Sequence, residues 1–244
     1  MEKKIGIIGG MGAAASCLFY QYVTEMTEVS CDQDHLNLMI LSDASMPDRT
    51  QAILAGEYDE VERKLLDDAL TLQKCGCDAI GVTCNTAHFF VDRIVDRLDI
   101  PVIHMIDRTA SEIAGRDRKG QTAVLATDGT VRTGLYQKRL EKYDAVPFLL
   151  PEEYQKLVMY EIYDRIKKGL PCDREVWGKL ECFIRRAGCV NAVLACTELS
   201  VIKNEIGLDD FYVDPMRVLA REVILFAGKK LKKEYMGGAK YGTA

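Results

Sequence analysis

Along this chain, short apolar runs alternate with longer segments whose apolar residues recur every three or four positions. The short runs lie at 5–8, 38–41, 79–82, 102–103, 123–126, 145–149, 192–195 and 211–213. Most are apolar on both faces, as strands buried in a parallel sheet are. Between them the period lengthens to that of a helix. Val61, Leu65, Leu66, Ala69 and Leu72 form one such stripe, and Gly76 is placed to end it as a cap. Asp214 followed by Pro215 marks another helix start, with proline at the first helical position. That pattern predicts a helix running to about residue 233 with basic residues in its last turns. Residues 237–244 read as a loose tail. The alternation predicts an α/β protein with mainly parallel sheets.

The pattern also repeats. In the first half a helical stretch ends at Gly76, an apolar strand follows, and Cys84-Asn85-Thr86 lies just past it. In the second half Gly188 is followed by an apolar strand and Cys196-Thr197-Glu198. Each cysteine lies eight residues after its glycine. Gly6 to Gly12 after the first strand has a counterpart in Thr127-Asp128-Gly129-Thr130, and 100–103 and 211–214 each follow their cysteine block. Two similar α/β lobes with loops at their strand ends predict a crevice between them. The predicted partition is 1–104 with 213–244 for the first lobe, closed by the last helix, and 105–212 for the second.

Composition narrows the partners. The chain has 244 residues, enough for a large core, and a net charge of -5, which leaves no basic footprint for nucleic acid. No apolar run approaches the length of a membrane span. The stretch after Met1-Glu2-Lys3-Lys4 is too short for a signal peptide, so the expected location is the cytoplasm. Nine cysteines is many, but the number is odd and no secretory signal is present, which argues against a disulfide framework. Cys75 and Cys77 lack a second pair or a nearby histidine to complete a metal site.

The candidate chemistry gathers at the strand ends. Cys84 and Cys196 each fall between a strand end and a helix start, where a helix dipole and free amides favour a thiolate; the plain alternative is two buried cysteines. Asn85, Thr86 and Thr197 suit N-caps, and the same caps and amides suit a substrate carboxylate. Gly9-Gly10-Met11-Gly12 lacks the spacing of a dinucleotide loop, because position 15 is alanine, and reads as a tight turn. Arg49, in the polar loop Pro47-Asp48-Arg49-Thr50, is either solvated or a bidentate clamp for a carboxylate. Lys167, near a helix end at Gly169, is a second cation or a partner of the helix dipole. His88 lies one turn after Cys84 and is placed to tune that thiol, whereas His35 and His104 read as structural. A cysteine–histidine hydrolase would leave the second matched cysteine without a task.

Taken together, these blocks resemble the aspartate/glutamate racemase family of cofactor-independent amino-acid racemases. The resemblance runs from Ile5 to about Val223. It rests on the glycine turn, Asp32-Gln33-Asp34-His35, Pro47-Asp48-Arg49-Thr50, Cys84-Asn85-Thr86-Ala87-His88, Ala126-Thr127-Asp128-Gly129-Thr130, Cys196-Thr197-Glu198 and Asp214-Pro215-Met216. It is nearer the aspartate branch than the glutamate branch, which usually carries histidine after its Cys-Thr. Two departures stand out: Ala13 replaces the family's proline after Met-Gly, and Ala195 replaces its glycine before the second cysteine.

The resemblance implies two lobes related by pseudo-twofold symmetry, a cleft between them, a homodimer, and no pyridoxal phosphate, metal or nucleotide. It implies Cys84 and Cys196 as the catalytic pair and Arg49 and Lys167 as the grip on the distal carboxylate. It lines the site with Met11, Asn85, Thr86, Thr127 and Thr197. The expected activity is two-base racemisation of aspartate or glutamate. The alternatives are a sister chemistry on the same fold, such as maleate isomerisation or decarboxylation of a malonate, or a non-catalytic amino-acid-binding protein.

Overall fold

In the computed structural model, which describes residues 2–116 and 120–236, eight strands form two four-stranded sheets. The first holds β1 (Lys4–Gly9), β2 (Asn37–Ser42), β3 (Ala79–Val82) and β4 (Val102–Ile103), in the order β2-β1-β3-β4. The second holds β5 (Gln121–Ala126), β6 (Val146–Phe148), β7 (Cys189–Ala195) and β8 (Tyr212–Val213), in the order β6-β5-β7-β8. Every pairing is parallel. Counted from β5, the second order is the same as the first, so the sequence repeat is a repeat of topology.

Each apolar run coincides with a strand, but not all are buried on both faces. The exceptions are β2 and β6, each at one edge of its sheet, whose residues are exposed or half-buried, with Ile40 and Val146 open to solvent. The strands at the opposite edges, β4 and β8, are largely buried, so the difference lies in what covers each edge. The central strands β1, β3, β5 and β7 are buried nearly throughout.

The helix Asp59–Lys74 buries the predicted stripe, Val61, Leu65, Leu66, Ala69 and Leu72, against Ile80 and Val82. Burial of each large side chain contributes roughly 1.5–3 kcal/mol. Gly76 follows at φ 77°, with its amide on the Gln73 carbonyl and the Cys77 amide on the Leu72 carbonyl. Those two bonds satisfy orphan carbonyls at the helix end, as a Schellman cap does. The last helix, Pro215–Phe226, starts where predicted, with the Asp214 carboxylate accepting from the Met216 amide. It stops well short of residue 233. Gly228 turns left-handed at φ 76°, and the amides of Gly228 and Lys229 close on the Leu225 and Ile224 carbonyls. The lysines beyond it therefore fall outside the helix, and its last turn holds no basic residue. The expected tail from Gly237 to Ala244 lies outside the described residues.

Two helices stitch the lobes. In Pro215–Phe226, Met216, Leu219, Ala220, Val223 and Ile224 pack with Ile5, Ile7 and Phe19, while Val218 packs with Ile106, Ala110 and Val124. In Met105–Ala114, Met105 belongs to the first of these cores and Ile106 to the second. The carboxyl ends of the four central strands are thereby fixed relative to one another. They carry Met11, Cys84, Thr127 and Cys196.

Gly10 shows how tight the first of these turns is. At φ 85°, a Cβ on it would stand 2.5 Å from the Asp43 carbonyl carbon. At Gly76 the φ is similar, but nothing lies within 4 Å of a Cβ. Gly10→Ala is therefore expected to destabilise by about 2–5 kcal/mol, strain plus overpacking, and Gly76→Ala by about 1–2 kcal/mol, strain alone. Urea midpoints of the two variants at matched m-values check the order.

Candidate active site

Cys84 and Cys196 line one small cavity at the junction of the lobes. Both are buried, each about 6% exposed. The first lobe adds Met11, Asp48, Arg49, Thr50 and Thr86 to its wall, and the second adds Thr127, Tyr163, Lys167 and Glu198. The space left open is about 10 Å³, room for roughly one water. The site is narrow.

Arg49 opens the helix Arg49–Ala55, and its side chain is turned inward rather than solvated. One terminal nitrogen donates to the Pro47 carbonyl at 2.8 Å and the Met46 carbonyl at 3.3 Å, and the other to the Met11 carbonyl at 3.2 Å. Its Nε is buried without a partner. Burial works against the guanidinium charge, but negative charge at Cys84, then Asp48, with a smaller share from Glu198, outweighs it and raises the pKa further. The residue that faces the Cys84 sulfur is thus a permanent cation.

Cys196 is the N-cap of the helix Thr197–Ile206, yet its surroundings do the opposite of what that position suggests. Its Sγ–H donates to Glu198 Oε2 at 2.8 Å. Burial first, and the Glu198 carboxylate next, push this thiol well above the usual cysteine range. The helix dipole does not win, because desolvation disfavours the thiolate and a carboxylate stands in contact with it. Oε1 of Glu198 is buried without a partner, 3.2 Å from where a Cβ on Gly12 would lie.

Asp48 caps the helix Arg49–Ala55 through the Gln51 amide and also accepts from Tyr163 Oη at 3.1 Å and Lys167 Nζ at 3.4 Å. Burial opposes its ionisation, but the Gln51 amide and the charges of Lys167 and Arg49 outweigh it and hold the carboxyl below the usual range. Lys167 Nζ also sits 4.3 Å from the centre of the Tyr163 ring. These two residues are one turn apart in an unusual stretch. The helix Glu152–Met159 widens into a π-turn over Tyr160–Arg165 and tightens over Ile166–Lys168 before Gly169 ends it. Wide turns of this kind recur at functional sites.

The expected caps are not caps. The helix His88–Ile94 starts at Ala87 with no side-chain cap, and Thr197 is its own helix's first residue. The side chains serve the junction instead. Asn85 Oδ1 accepts from Tyr136 Oη at 2.6 Å, and its Nδ2 is buried unpartnered. Thr86 Oγ1 lies 3.0 Å from Thr127 Oγ1 and 2.9 Å from Thr130 Oγ1, which are 3.2 Å from each other. Thr197 Oγ1 donates to Glu198 Oε2 at 3.4 Å. Thr127 does cap, accepting from the Thr130 amide. His88 does not reach the Cys84 thiol. Its Nδ1 bonds the Cys84 carbonyl at 2.8 Å, and its Nε2 accepts from the Met105 amide at 3.2 Å, so it fixes backbone. His104 caps the helix Met105–Ala114 through the Asp107 amide.

Of the residues singled out from sequence, Met11, Arg49, Cys84, Thr86, Thr127, Lys167 and Cys196 line the cavity. Asn85 and Thr197, each next in the chain to a lining cysteine, are not part of its wall. Glu198, Asp48, Thr50 and Tyr163 were not singled out. The signal for Glu198 was its place two residues after a cysteine at a buried helix start, where a carboxylate is seldom left without a task. Tyr163 shares a helix face with Lys167 at i, i+4 spacing.

A family model described as Asp/Glu/Hydantoin racemase matches residues 8–223. The aspartate racemase of Picrophilus torridus superposes with a TM-score of 0.81 at 32% identity, covering 96% of this chain and 97% of that one. The broad specificity amino-acid racemase RacX of Bacillus subtilis (strain 168) is 28% identical over 227 residues, 90% of this chain and 96% of RacX. The glutamate racemase of Aquifex pyrophilus is 28% identical over 155 residues, 61% of this chain and 57% of that protein.

The role of His88 is testable through pH. Burial first, then the neighbouring His104, pushes its imidazole down to about 3. An unfolded histidine titrates near 6.5. The folded value is the lower one, so its contribution to stability is present above about 6.5 and is lost as pH falls toward 3. In that window, unfolding of the native protein should take up as much as one proton more than unfolding of His88→Gln, read from urea midpoints across pH. Equal slopes in the two proteins would show that His88 is protonated when folded.

Proposed function

The chain belongs to the Asp/Glu/Hydantoin racemase family, and from that premise we propose that it racemises an acidic amino acid without a cofactor, with Cys84 and Cys196 as base and acid. The observation that carries this reading is one narrow cavity lined by both cysteines. Their partners are unlike, a guanidinium beside Cys84 and a carboxylate on Cys196.

The unlike partners suit unlike starting roles. A thiolate at Cys84 would be held by Arg49, while Cys196 starts as a thiol kept neutral by burial and Glu198. Cys84 takes the α-proton, and Cys196 gives its own to the other face of the carbon. The sulfurs exchange roles for the mirror-image substrate. Charge developing on the α-carboxylate needs donors already in place. The unpartnered Asn85 Nδ2, next in the chain to Cys84, is such a donor. Arg49 Nε and Lys167 Nζ supply positive charge for a side-chain carboxylate, and fixing both ends of the substrate would hold the α-carbon between the sulfurs. An amino acid does not fit 10 Å³, so the lobes part to admit it and close to exclude water.

A second reading concerns range. Next to the narrow cavity lies a wider vestibule of about 390 Å³ whose wall sets Ala13, Ala14, Met46, Ile166 and Val201 beside Arg49, Lys167 and Glu198. A partly apolar annex fits a racemase of wider range, the activity stated for the relative RacX.

Incubation with single enantiomers in D2O, followed by NMR and chiral chromatography, tests both readings. Exchange of the α-proton with formation of both enantiomers is expected for aspartate or glutamate. Exchange of apolar or basic amino acids at comparable rates would favour the wider range, and no exchange with any amino acid would end the racemase reading. Cys84→Ser and Cys196→Ser should each slow racemisation by about 10²–10⁴-fold, the usual worth of a placed acid or base.

A further inference from the structure

A racemase of this kind leaves itself in the wrong state. After one turnover in a given direction, Cys84 carries the proton it removed and Cys196 is a thiolate. Before the same enantiomer can react again, Cys84 must lose a proton and Cys196 must gain one. Both sulfurs are buried, and the cavity between them holds about one water.

The narrow cavity and the wider vestibule share four wall residues: Met11, Arg49, Lys167 and Glu198. A thioether carries no proton, and a guanidinium does not release one. Lys167 is tied to Asp48 and the Tyr163 ring, and the carboxylates of Glu198 and Asp48 and the Tyr163 hydroxyl hold its proton more firmly against the opposing effect of burial. Glu198 is different on every count. One oxygen, Oε2, is in contact with Cys196 Sγ at 2.8 Å. The other, Oε1, is buried, has no partner, and lies against Gly12 on the vestibule wall. A carboxyl group can take a proton on one oxygen and, by a half-turn, present it where the other oxygen stood.

Resting on the racemase reading above, we infer that Glu198 is the proton relay that resets Cys196 between turnovers, joining the buried sulfur to water in the vestibule. A vestibule water gives a proton to Oε1, and the hydroxide left behind is neutralised by the proton that Cys84 returns to water. A half-turn of the carboxyl group about its Cγ–Cδ bond then carries that same proton to the Cys196 thiolate, and the group is again a carboxylate. Cys84 gives its proton to water as the site reopens. No proton is gained or lost over the cycle, and no further reactant is needed. Glu198 touches a reacting atom, but its task falls after the carbon chemistry is complete.

A reset step has a kinetic signature that a purely structural residue lacks. It limits turnover at saturation and leaves the first encounter with trace substrate less affected. Glu198→Gln keeps the shape and the contact to Cys196 but cannot carry a proton. Its kcat should fall at least about tenfold more than its kcat/KM. Its net rate should also decline at high substrate concentration, where the two enzyme forms no longer equilibrate, at a concentration below that for the native enzyme. Glu198→Asp, which keeps a carboxyl, should recover part of the loss in kcat, and it carries the test if Glu198→Gln does not fold. Equal losses in kcat and kcat/KM, or an unshifted decline at high substrate, would overturn the relay. A native enzyme with no turnover on any amino acid is a different result, and it would end the racemase reading itself.

Discussion

A guanidinium buried between two lobes dictates much of what surrounds it. Arg49 cannot shed its proton, and an uncompensated buried charge costs several kcal/mol. Its neighbours are those the cost requires: the carbonyls of Met46, Pro47 and Met11, the carboxylate of Asp48, and the sulfur of Cys84. The carbonyl bonds lock the turn after β1 to the loop after β2, which brings Met11 over the cavity. Asp48 in turn draws Tyr163 and Lys167 across from the other lobe. One fixed charge thus organises the first-lobe wall and recruits part of the second.

The two halves share a topology but not an electrostatic environment. At equivalent strand ends, one sulfur meets a cation and the other a carboxylate. The repeated topology places a cysteine at each equivalent strand end, but it does not repeat what stands beside them. The difference arises from side chains with no counterpart in the opposite half, Arg49 on a helix after β2 and Glu198 on the helix after β7.

Much of this was legible in the residues. Buried central strands announce themselves because both faces are apolar, and the glycines at 76 and 188 fix where each helix must end. The outer strands carry similar sequence and differ only in what covers them, which a single chain does not display. The end of the last helix is hard to read because a basic run resembles a helix terminus, while Gly228 breaks the backbone pattern before it. The cysteine pair stood out by its matched offset. Asn85, Thr86 and Thr197 look like caps because short polar side chains beside a helix start usually are. Only the packing of one lobe on the other turns them toward the junction. Glu198 was passed over for a related reason, since its contact with Cys196 depends on the first turn of a helix pointing inward.

The hydroxyls of Thr86, Thr127 and Thr130 form a triangle spanning the two lobes. Thr127 donates to Thr130, and with one proton on each hydroxyl that direction sets the two contacts across the junction, Thr86 donating to Thr127 and Thr130 to Thr86. The triangle closes without a charge. Each neutral bond is worth about 0.5–1.5 kcal/mol net of water, and water can satisfy the same oxygens. The junction is thus fastened along this line by a clasp whose every bond solvent can replace.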